Sequence, residues 1–190
     1  MREAKTQYVI LGLLAEGPMT GYAIKKTVDT RFRFFWSESY GQLYPVLKAL
    51  RNEGLIVLAD ASASASATAG AGRGSGRDQV AYAVTPAGRG ALREWLARPA
   101  ERESVRVEIL LKLYFSVLGE PGGMTPQIEE FSRHYASELE VLRRFQLELE
   151  RIPDDGGNHR DILRVLDFGQ KTYEAYLAWS SKTLAELEGR

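Results

Sequence analysis

The sequence contains no cysteine and only two histidines among its 190 residues. The absence of cysteine excludes disulfides, thiolate zinc sites, iron–sulfur clusters and cysteine nucleophiles, and it fits a reducing compartment. No stretch approaches the roughly 18 apolar residues of a membrane span. The apolar run near the N-terminus ends at Gly17-Pro18, too early for a signal peptide. We therefore expect a soluble, cytoplasmic protein that is not attached to a membrane.

The motifs of common enzyme classes are missing as well. No Gly-rich loop follows a predicted strand at a phosphate-binding spacing, and the two histidines, His134 and His159, lie far apart in the sequence. Asp154-Asp155 with His159 and Asp161 has the composition of a metal cluster, but a polar turn with acids at a helix N-terminus explains it better. The sequence therefore predicts a protein that is not an enzyme and needs no metal or other cofactor.

An excess of one charge is also absent, because 25 Lys and Arg balance 25 Asp and Glu. This balance hides an asymmetry between the two halves of the chain. Residues 1–98 contain 13 basic and 8 acidic residues, net +5, whereas residues 99–190 contain 12 basic and 17 acidic residues, net −5. The N-terminal half is therefore the candidate for binding an anionic partner such as DNA.

Helical patterns account for most of the first 54 residues. Apolar residues recur at helical spacing from Glu3 to Glu16, and Thr20 is placed to cap a second helix. A third helix should begin near Tyr40 to Gln42, because Pro45 is tolerated only within a first turn, and it should end at Gly54. Its buried stripe is predicted to consist of Leu43, Val46, Leu47 and Leu50.

Two short strands are predicted at residues 55–59 and 80–85, as the arms of a hairpin. Residues 61–78 between them are rich in Ala, Ser and Gly and should form a flexible loop. Thr85-Pro86 should open a fourth helix that leaves the domain and stops before Pro99. The fold class is therefore mainly α, with residues 1–98 forming a winged helix-turn-helix of three helices and a two-stranded wing.

Three further helices are predicted in the C-terminal half, at roughly residues 104–118, 125–151 and 158–187. The second and third carry apolar stripes: Ile128, Phe131, Tyr135, Leu139, Leu142 and Leu149, and Ile162, Val165, Gly169, Tyr173, Tyr176, Ser180, Leu184 and Leu187. An intramolecular bundle would explain both stripes, but we favour a dimer interface, since helices of this length have few partners in so small a domain. Residues 99–190 are thus predicted to be a helical dimerisation domain.

Four stretches in the first half resemble the PadR-like family of bacterial transcriptional regulators: residues 10–14 with Gly17-Pro18, residues 21–24, residues 40–56 and residues 82–88 with Trp95-Leu96. The C-terminal half is similar to the longer, virulence-activator-like helical domain of one PadR subgroup. The resemblance implies a homodimer that binds inverted-repeat promoter DNA, usually as a repressor and often released by a small aromatic or amphipathic effector. The wing departs from the family, which usually has a short turn in place of residues 61–78.

The third helix carries the main candidate DNA contacts. Gln42, Tyr44, Lys48 and Arg51 fall away from the apolar stripe. A helix fits the roughly 12 Å major groove, where Gln can bind adenine while Tyr and Lys reach phosphate. A merely solvated face is the alternative, or for Tyr44 a place packed under the wing. The resemblance favours DNA contact, and Ser39 and Tyr40 at the helix start are further candidates.

Other candidate contacts come from the second helix and the wing. Thr20, Tyr22 and Lys25 could hold a phosphate at the N-terminus of the second helix, although ordinary capping needs no ligand. Arg73 and Arg77 lie among glycines and could enter a minor groove, although a disordered solubilising loop is the alternative.

Aromatic residues suggest an effector site. Trp36 follows two phenylalanines, and Trp95 ends the fourth helix, so the two rings could stack a ligand at the domain junction or the dimer interface. Ordinary packing is the alternative. Two other functions stay open: a winged-helix protein-interaction module that binds no DNA, and a sensor that sequesters a ligand without coupling to DNA.

Overall fold

A computed structural model describes residues 5–59, 80–102 and 105–188 of the chain. Contacts between Cα atoms divide the chain into two compact units, Met1–Arg102 and Glu103–Arg190. The predicted flexible loop at residues 61–78 lies outside the described residues. In the described part of the chain, no helix is long and apolar enough to cross a membrane.

The N-terminal unit has the element order of a winged helix-turn-helix, which confirms the predicted fold class. A single π-helical turn, Val28–Phe32, continues the second helix. The elements are α1 Thr6–Glu16, β1 Met19–Thr20, α2 Gly21–Thr27, α3 Tyr40–Asn52, β2 Ile56–Leu58, β3 Ala81–Val84 and α4 Pro86–Leu96.

The sheet of this unit has three strands, where the sequence predicted two. Strand β3 pairs antiparallel with β2 on one side and with β1 on the other, in the order β1-β3-β2. Met19 lies opposite Tyr82 and Thr20 opposite Ala81. Strand β1 has only two residues, too few to show an alternating pattern in the sequence. It joins the turn between α1 and α2 to the wing.

Helix α3 begins and ends with well-defined caps. Ser39 and Gln42 form a reciprocal capping box at its start. At its end Gly54 has φ +71°, and the Leu55 amide donates to the Leu50 carbonyl at 2.9 Å, as in a Schellman motif. The helix starts at Tyr40, so Pro45 is its sixth residue. Pro45 therefore lies beyond the first turn, whereas the sequence analysis predicts it within that turn.

One apolar cluster holds α1, α2 and α3 of the N-terminal unit together. From α3 it takes Leu43, Leu47 and Leu50, each at most 1% exposed, whereas Val46, predicted to be buried with them, is half-buried. The other fully buried members come from α1, α2, the π-helical turn and β2: Ile10, Leu11, Leu13, Leu14, Ile24, Val28 and Ile56. This packing fixes which side of α3 faces outward.

Helix α4 packs against α1 within the same unit, which corrects the prediction of a helix that leaves the domain. The Tyr8 and Trp95 rings stack at 4.6 Å, nearly parallel. At the start of α4, Thr85 Oγ1 accepts from the Gly88 amide and donates to the Gly54 carbonyl. A Cβ on Gly88 would lie 2.2 Å from the Leu55 carbonyl oxygen, so this close approach requires glycine.

The C-terminal unit is built around two long helices that pack on each other, α6 Thr125–Leu149 and α7 His159–Glu188. Leu139, Leu142 and Leu166 are buried along this pair, and Arg143 forms an ion pair with Glu174 at 3.0 Å. The two apolar stripes are therefore largely used within one chain, as in the intramolecular alternative.

The first helix of this unit is shorter than predicted. Helix α5 spans Glu108–Tyr114, and a 3₁₀ turn follows at Ser116–Leu118. Only one side of the segment packs, with Ile109 and Leu113 against Met124 and Ile128. Because helical stability in proteins comes mainly from packing an apolar face, little favours a longer helix here.

The close approach at Gly88 can be tested by stability. Gly88→Ala should lower the free energy of unfolding by about 1–3 kcal/mol, because the backbone of residue 55 must move. The matched control is Gly90→Ala in the same helix, where a Cβ meets no atom within 4 Å. This substitution should stabilise the fold by up to about 1 kcal/mol. Urea denaturation measures both variants, and equal stabilities would contradict the packing described for α4.

Candidate DNA-binding surface and aromatic groove

Helix α3 presents one polar side to solvent. Gln42, Lys48 and Arg51 are exposed, whereas Leu43, Leu47 and Leu50 of the same helix are buried. Tyr40 is 45% exposed at the helix start. The structure thus exposes four of the six residues predicted for this helix and its cap, with Ser39 also exposed, and two of the four are cations.

Tyr44 has a different place from the other predicted contacts. Its ring is half-buried and covers the start of α2, where a Cβ on Gly21 would lie 2.9 Å from Tyr44 Cε1. The ring also stacks with Tyr40 at 6.0 Å. Tyr44 therefore limits how closely α2 and α3 approach, and a contact between its ring and DNA stays a prediction. The sequence signal for it was Gly21, which the sequence reasoning did not use.

The side chain of Gln42 is engaged in capping α3. Its Oε1 accepts from the backbone amide of Ser39 at 3.0 Å and from Ser39 Oγ at 2.9 Å. The backbone amide of Gln42 donates to Ser39 Oγ at 3.2 Å. A bidentate contact with adenine needs both Oε1 and Nε2 of a glutamine. Such a contact would therefore require Gln42 to leave the cap.

The candidates on α2 are also held by neighbours. Thr20 Oγ1 accepts from the Ala23 amide at 3.1 Å, which is the ordinary capping alternative. Lys25 forms an ion pair with Asp29, and its Nζ lies 5.4 Å from the centre of the Tyr40 ring. Tyr22 is 41% exposed, and the neighbouring Lys26 is exposed as well. Phosphate contacts by Thr20, Tyr22 and Lys25 stay predictions, and Arg73 and Arg77 lie outside the described residues.

Along α1 runs an apolar cavity of about 310 Å³, here called the aromatic groove. This volume is at the lower end of small-molecule sites, which span about 300–1,000 Å³. One stripe of α1 forms its floor and aromatic side chains form much of its walls. The lining residues are Lys5, Tyr8, Val9, Gly12, Leu13, Glu16, Phe32, Phe35, Trp36 and Trp95.

Both predicted effector residues, Trp36 and Trp95, line this groove. All of its lining residues belong to the N-terminal unit, whereas the sequence had led us to expect a site at the domain junction or the dimer interface. Lys5 pairs with Glu101 at 3.0 Å, and Glu16 pairs with Arg31 at 2.9 Å. The two charged lining residues are thus already neutralised, so the groove offers mainly rings and apolar surface.

Gly12 leaves part of the groove floor open. A Cβ at this position would have no heavy atom within 4 Å. Glycine in a helix interior costs about 0.8–1.0 kcal/mol relative to alanine. A glycine among the apolar residues of α1 was the available sequence signal, and the sequence reasoning did not recognise it.

Asp154, one of the residues with the composition of a metal cluster, caps the start of α7. Asp154 Oδ1 accepts from the amides of Asn158 and His159 at the start of α7. Among the residues that the structure describes, no group of three or more His, Cys, Asp and Glu side chains could hold a metal ion. This arrangement agrees with the polar-turn interpretation of residues 154–161.

Comparison with known families assigns both halves of the chain. Residues 10–94 match the transcriptional regulator PadR-like family. Residues 105–188 match the virulence activator alpha C-terminal domain. The negative transcriptional regulator PadR of Bacillus subtilis (strain 168) is 34% identical over 110 residues, which are 57% of this chain and 55% of that protein. The alignment thus spans little more than half of that relative.

Solved structures agree over nearly the whole chain. Bacillus subtilis PadR in complex with operator DNA is 25% identical, with a TM-score of 0.77 over 98% of this chain and 99% of that chain. The same Bacillus subtilis protein in complex with p-coumaric acid is 24% identical, with a TM-score of 0.71 over 96% and 98%. The second likeness establishes the shared fold.

The capping role of Gln42 can be separated from any contact with DNA. Gln42→Ala removes the acceptor for the Ser39 amide and should lower the free energy of unfolding by about 0.5–2 kcal/mol, the range for the loss of a cap. Gln42→Glu keeps an acceptor at this position of the capping box and should stay within about 0.5 kcal/mol of the unchanged protein. Thermal denaturation without DNA measures both, and an equal decrease in the two variants would show that the cap does not stabilise α3.

Proposed function

Because the chain belongs to the PadR-like family of transcriptional regulators, we propose that it represses transcription by binding operator DNA through α3. The family and its named relatives are regulators and not enzymes. The observation that supports the proposal most is that Lys48 and Arg51 are exposed on α3, whose leucines are buried in the core. A regulator that binds promoter DNA acts in the bacterial cytoplasm, which is the location we propose.

In this account the cations of α3 bind phosphates of the DNA backbone. Arg51→Ala and Lys48→Ala should weaken binding to every duplex about equally, and each should reduce the slope of log K against log salt by about 1 for each phosphate that is no longer bound. Arg93→Ala is the matched control, since it removes an exposed arginine from α4. Fluorescence anisotropy at several salt concentrations measures the slopes. An unchanged slope for both α3 variants, or an equal reduction in the control, would reject α3 as the DNA-binding helix.

We further propose that the operator is an inverted repeat bound by a homodimer. Two-fold symmetry then places half-sites one helical turn apart, about 34–36 Å, or a multiple of that distance. The candidate interface is the unpacked side of α5 and the following 3₁₀ turn. Large apolar residues are exposed there: Leu110, Leu111, Tyr114, Phe115, Val117 and Leu118. Such a concentration of exposed apolar surface is typical of an interaction site.

Charging this side of α5 should therefore produce monomers. Leu111→Glu places a carboxylate at a residue that is 60% exposed in the single chain, and it should raise the dimer dissociation constant at least about tenfold. Leu147→Glu on α6, where leucine is 53% exposed, is the matched control. Sedimentation velocity measures the masses. A dimer that survives Leu111→Glu as well as it survives Leu147→Glu would exclude this side of α5 from the interface.

A small aromatic effector is the final part of the proposal. Bacillus subtilis PadR has been solved with p-coumaric acid, and the aromatic groove of this chain has the volume and the ring-lined walls for a ligand of that kind. We propose that such a ligand binds between Trp36 and Trp95 and weakens operator binding. A ligand that binds without changing operator affinity would instead favour the sequestering sensor, and a chain that binds no duplex would favour the protein-interaction module.

A further inference from the structure

We infer that the hydrogen bond between Trp36 and Glu38 couples the aromatic groove to the start of α3, so that a ring beside Trp36 loosens the cap of the DNA-binding helix. The inference deepens the effector release proposed above. It rests on that proposal for the biological meaning of the coupling, while the coupling itself concerns contacts within the N-terminal unit.

Trp36 belongs to two environments at once. Its ring lines the groove together with Phe32 and Phe35. Its indole Nε1 donates a hydrogen bond to Glu38 Oε1 at 2.8 Å. A ligand that stacks against Trp36 and turns its ring would therefore move the donor of this bond.

Glu38 is an unusual acceptor because its residue is only 7% exposed. Glutamate is almost never fully buried unless it is paired, since removing a carboxylate from water is costly. A hydrogen bond to a charged group contributes more to stability than one between neutral groups. Losing the indole N–H would thus favour movement of the Glu38 side chain toward water.

Glu38 directly precedes the cap of α3. Ser39, the next residue, accepts from the Gln42 amide through Oγ and receives the amides of Gln42 and Leu43 at its carbonyl, each at 3.0 Å. Ser39 also donates through its own amide to Gln42 Oε1. Because residues 38 and 39 share a peptide bond, we expect a movement of Glu38 to reach the Ser39 amide, which donates to Gln42 Oε1.

The coupling has a direction that suits release from DNA. An empty groove leaves Trp36 bonded to Glu38 and the capping box of α3 closed. An occupied groove opens the box, and the first turn of α3, with Tyr40 and Gln42 exposed on it, loses its fixed position. Operator affinity then falls although the ligand touches no residue of the proposed DNA-binding surface.

The test fills the groove from within the chain, so that it needs no identified ligand. Gly12→Phe places a ring on the groove floor, where a Cβ meets no heavy atom within 4 Å, and Gly12→Ala is the matched control. Amide exchange rates of Gln42 and Leu43, measured by NMR without DNA, should rise at least about tenfold in Gly12→Phe relative to Gly12→Ala. Amides of α6 should not change. Gly12→Leu replaces the phenylalanine variant if that variant unfolds.

Two substitutions in the groove wall then isolate the hydrogen bond. Trp36→Phe removes the indole N–H but keeps a ring, and it should raise the same two exchange rates, with no further rise when combined with Gly12→Phe. Trp95→Phe alters the same groove at a residue that stacks on Tyr8, and it should leave the rates within twofold. Rates in Trp36→Phe equal to those in Trp95→Phe would overturn the coupling.

Operator binding supplies the second readout. On a duplex selected for binding, Gly12→Phe should weaken affinity at least about tenfold relative to Gly12→Ala, and much less in the Trp36→Phe background. With p-coumarate as the probe, ligand-induced loss of affinity should likewise shrink in Trp36→Phe. Exchange rates that respond while no duplex binds would reject the proposed function and keep the coupling. Operator binding with unresponsive exchange rates would reject the coupling alone.

Discussion

Burial of three leucines beneath α3 is the constraint on which the rest of the N-terminal unit depends. Leu43, Leu47 and Leu50 belong to a cluster that also contains buried residues of α1, α2 and β2, and each of the three is at most 1% exposed. Full burial of a leucine contributes roughly 1.5–3 kcal/mol, so rotation of α3 about its axis is strongly opposed. The polar side of the helix therefore has a fixed direction before any ligand binds, which is the preorganisation that a DNA-binding helix needs.

The same packing explains why the aromatic groove lies beside the start of α3. Helix α1 uses one side, with Ile10 and Leu14, to cover the leucine cluster. Its stripe from Lys5 to Glu16 is left to the groove, where Trp36 and Trp95 supply the walls. The segment that carries Trp36 runs directly into the Ser39 cap. Tyr8 and Leu13 belong both to the core and to the groove, and the short segment after the π-helical turn joins the groove to the proposed DNA-binding surface.

Local signals made much of this fold predictable. Thr20 and Thr85 were predicted as caps and each caps a helix through a side-chain oxygen, because capping depends on near neighbours in the sequence. Ser39 also caps a helix, although the sequence analysis did not predict this role. The leucine spacing of α3 also identified its outer side, and with it Gln42, Lys48 and Arg51.

Features that depend on distant parts of the chain were not predictable in this way. Strand β1 exists because β3 lies beside it, and the need for glycine at position 88 comes from the Leu55 carbonyl. Periodicity identified the apolar faces of α6 and α7 but not the partner of each face, so a dimer interface on these helices stays a prediction.

Selection of bound duplexes from a random library, with the full chain, tests the central claim most directly. If α3 enters the major groove of an operator as part of a symmetric dimer, the enriched sequences contain an inverted repeat, and Arg51→Ala and Lys48→Ala weaken binding to that repeat while Arg93→Ala does not. Enrichment of no sequence above the starting library, or unchanged binding to the enriched repeat when Arg51→Ala and Lys48→Ala are combined, would contradict the account.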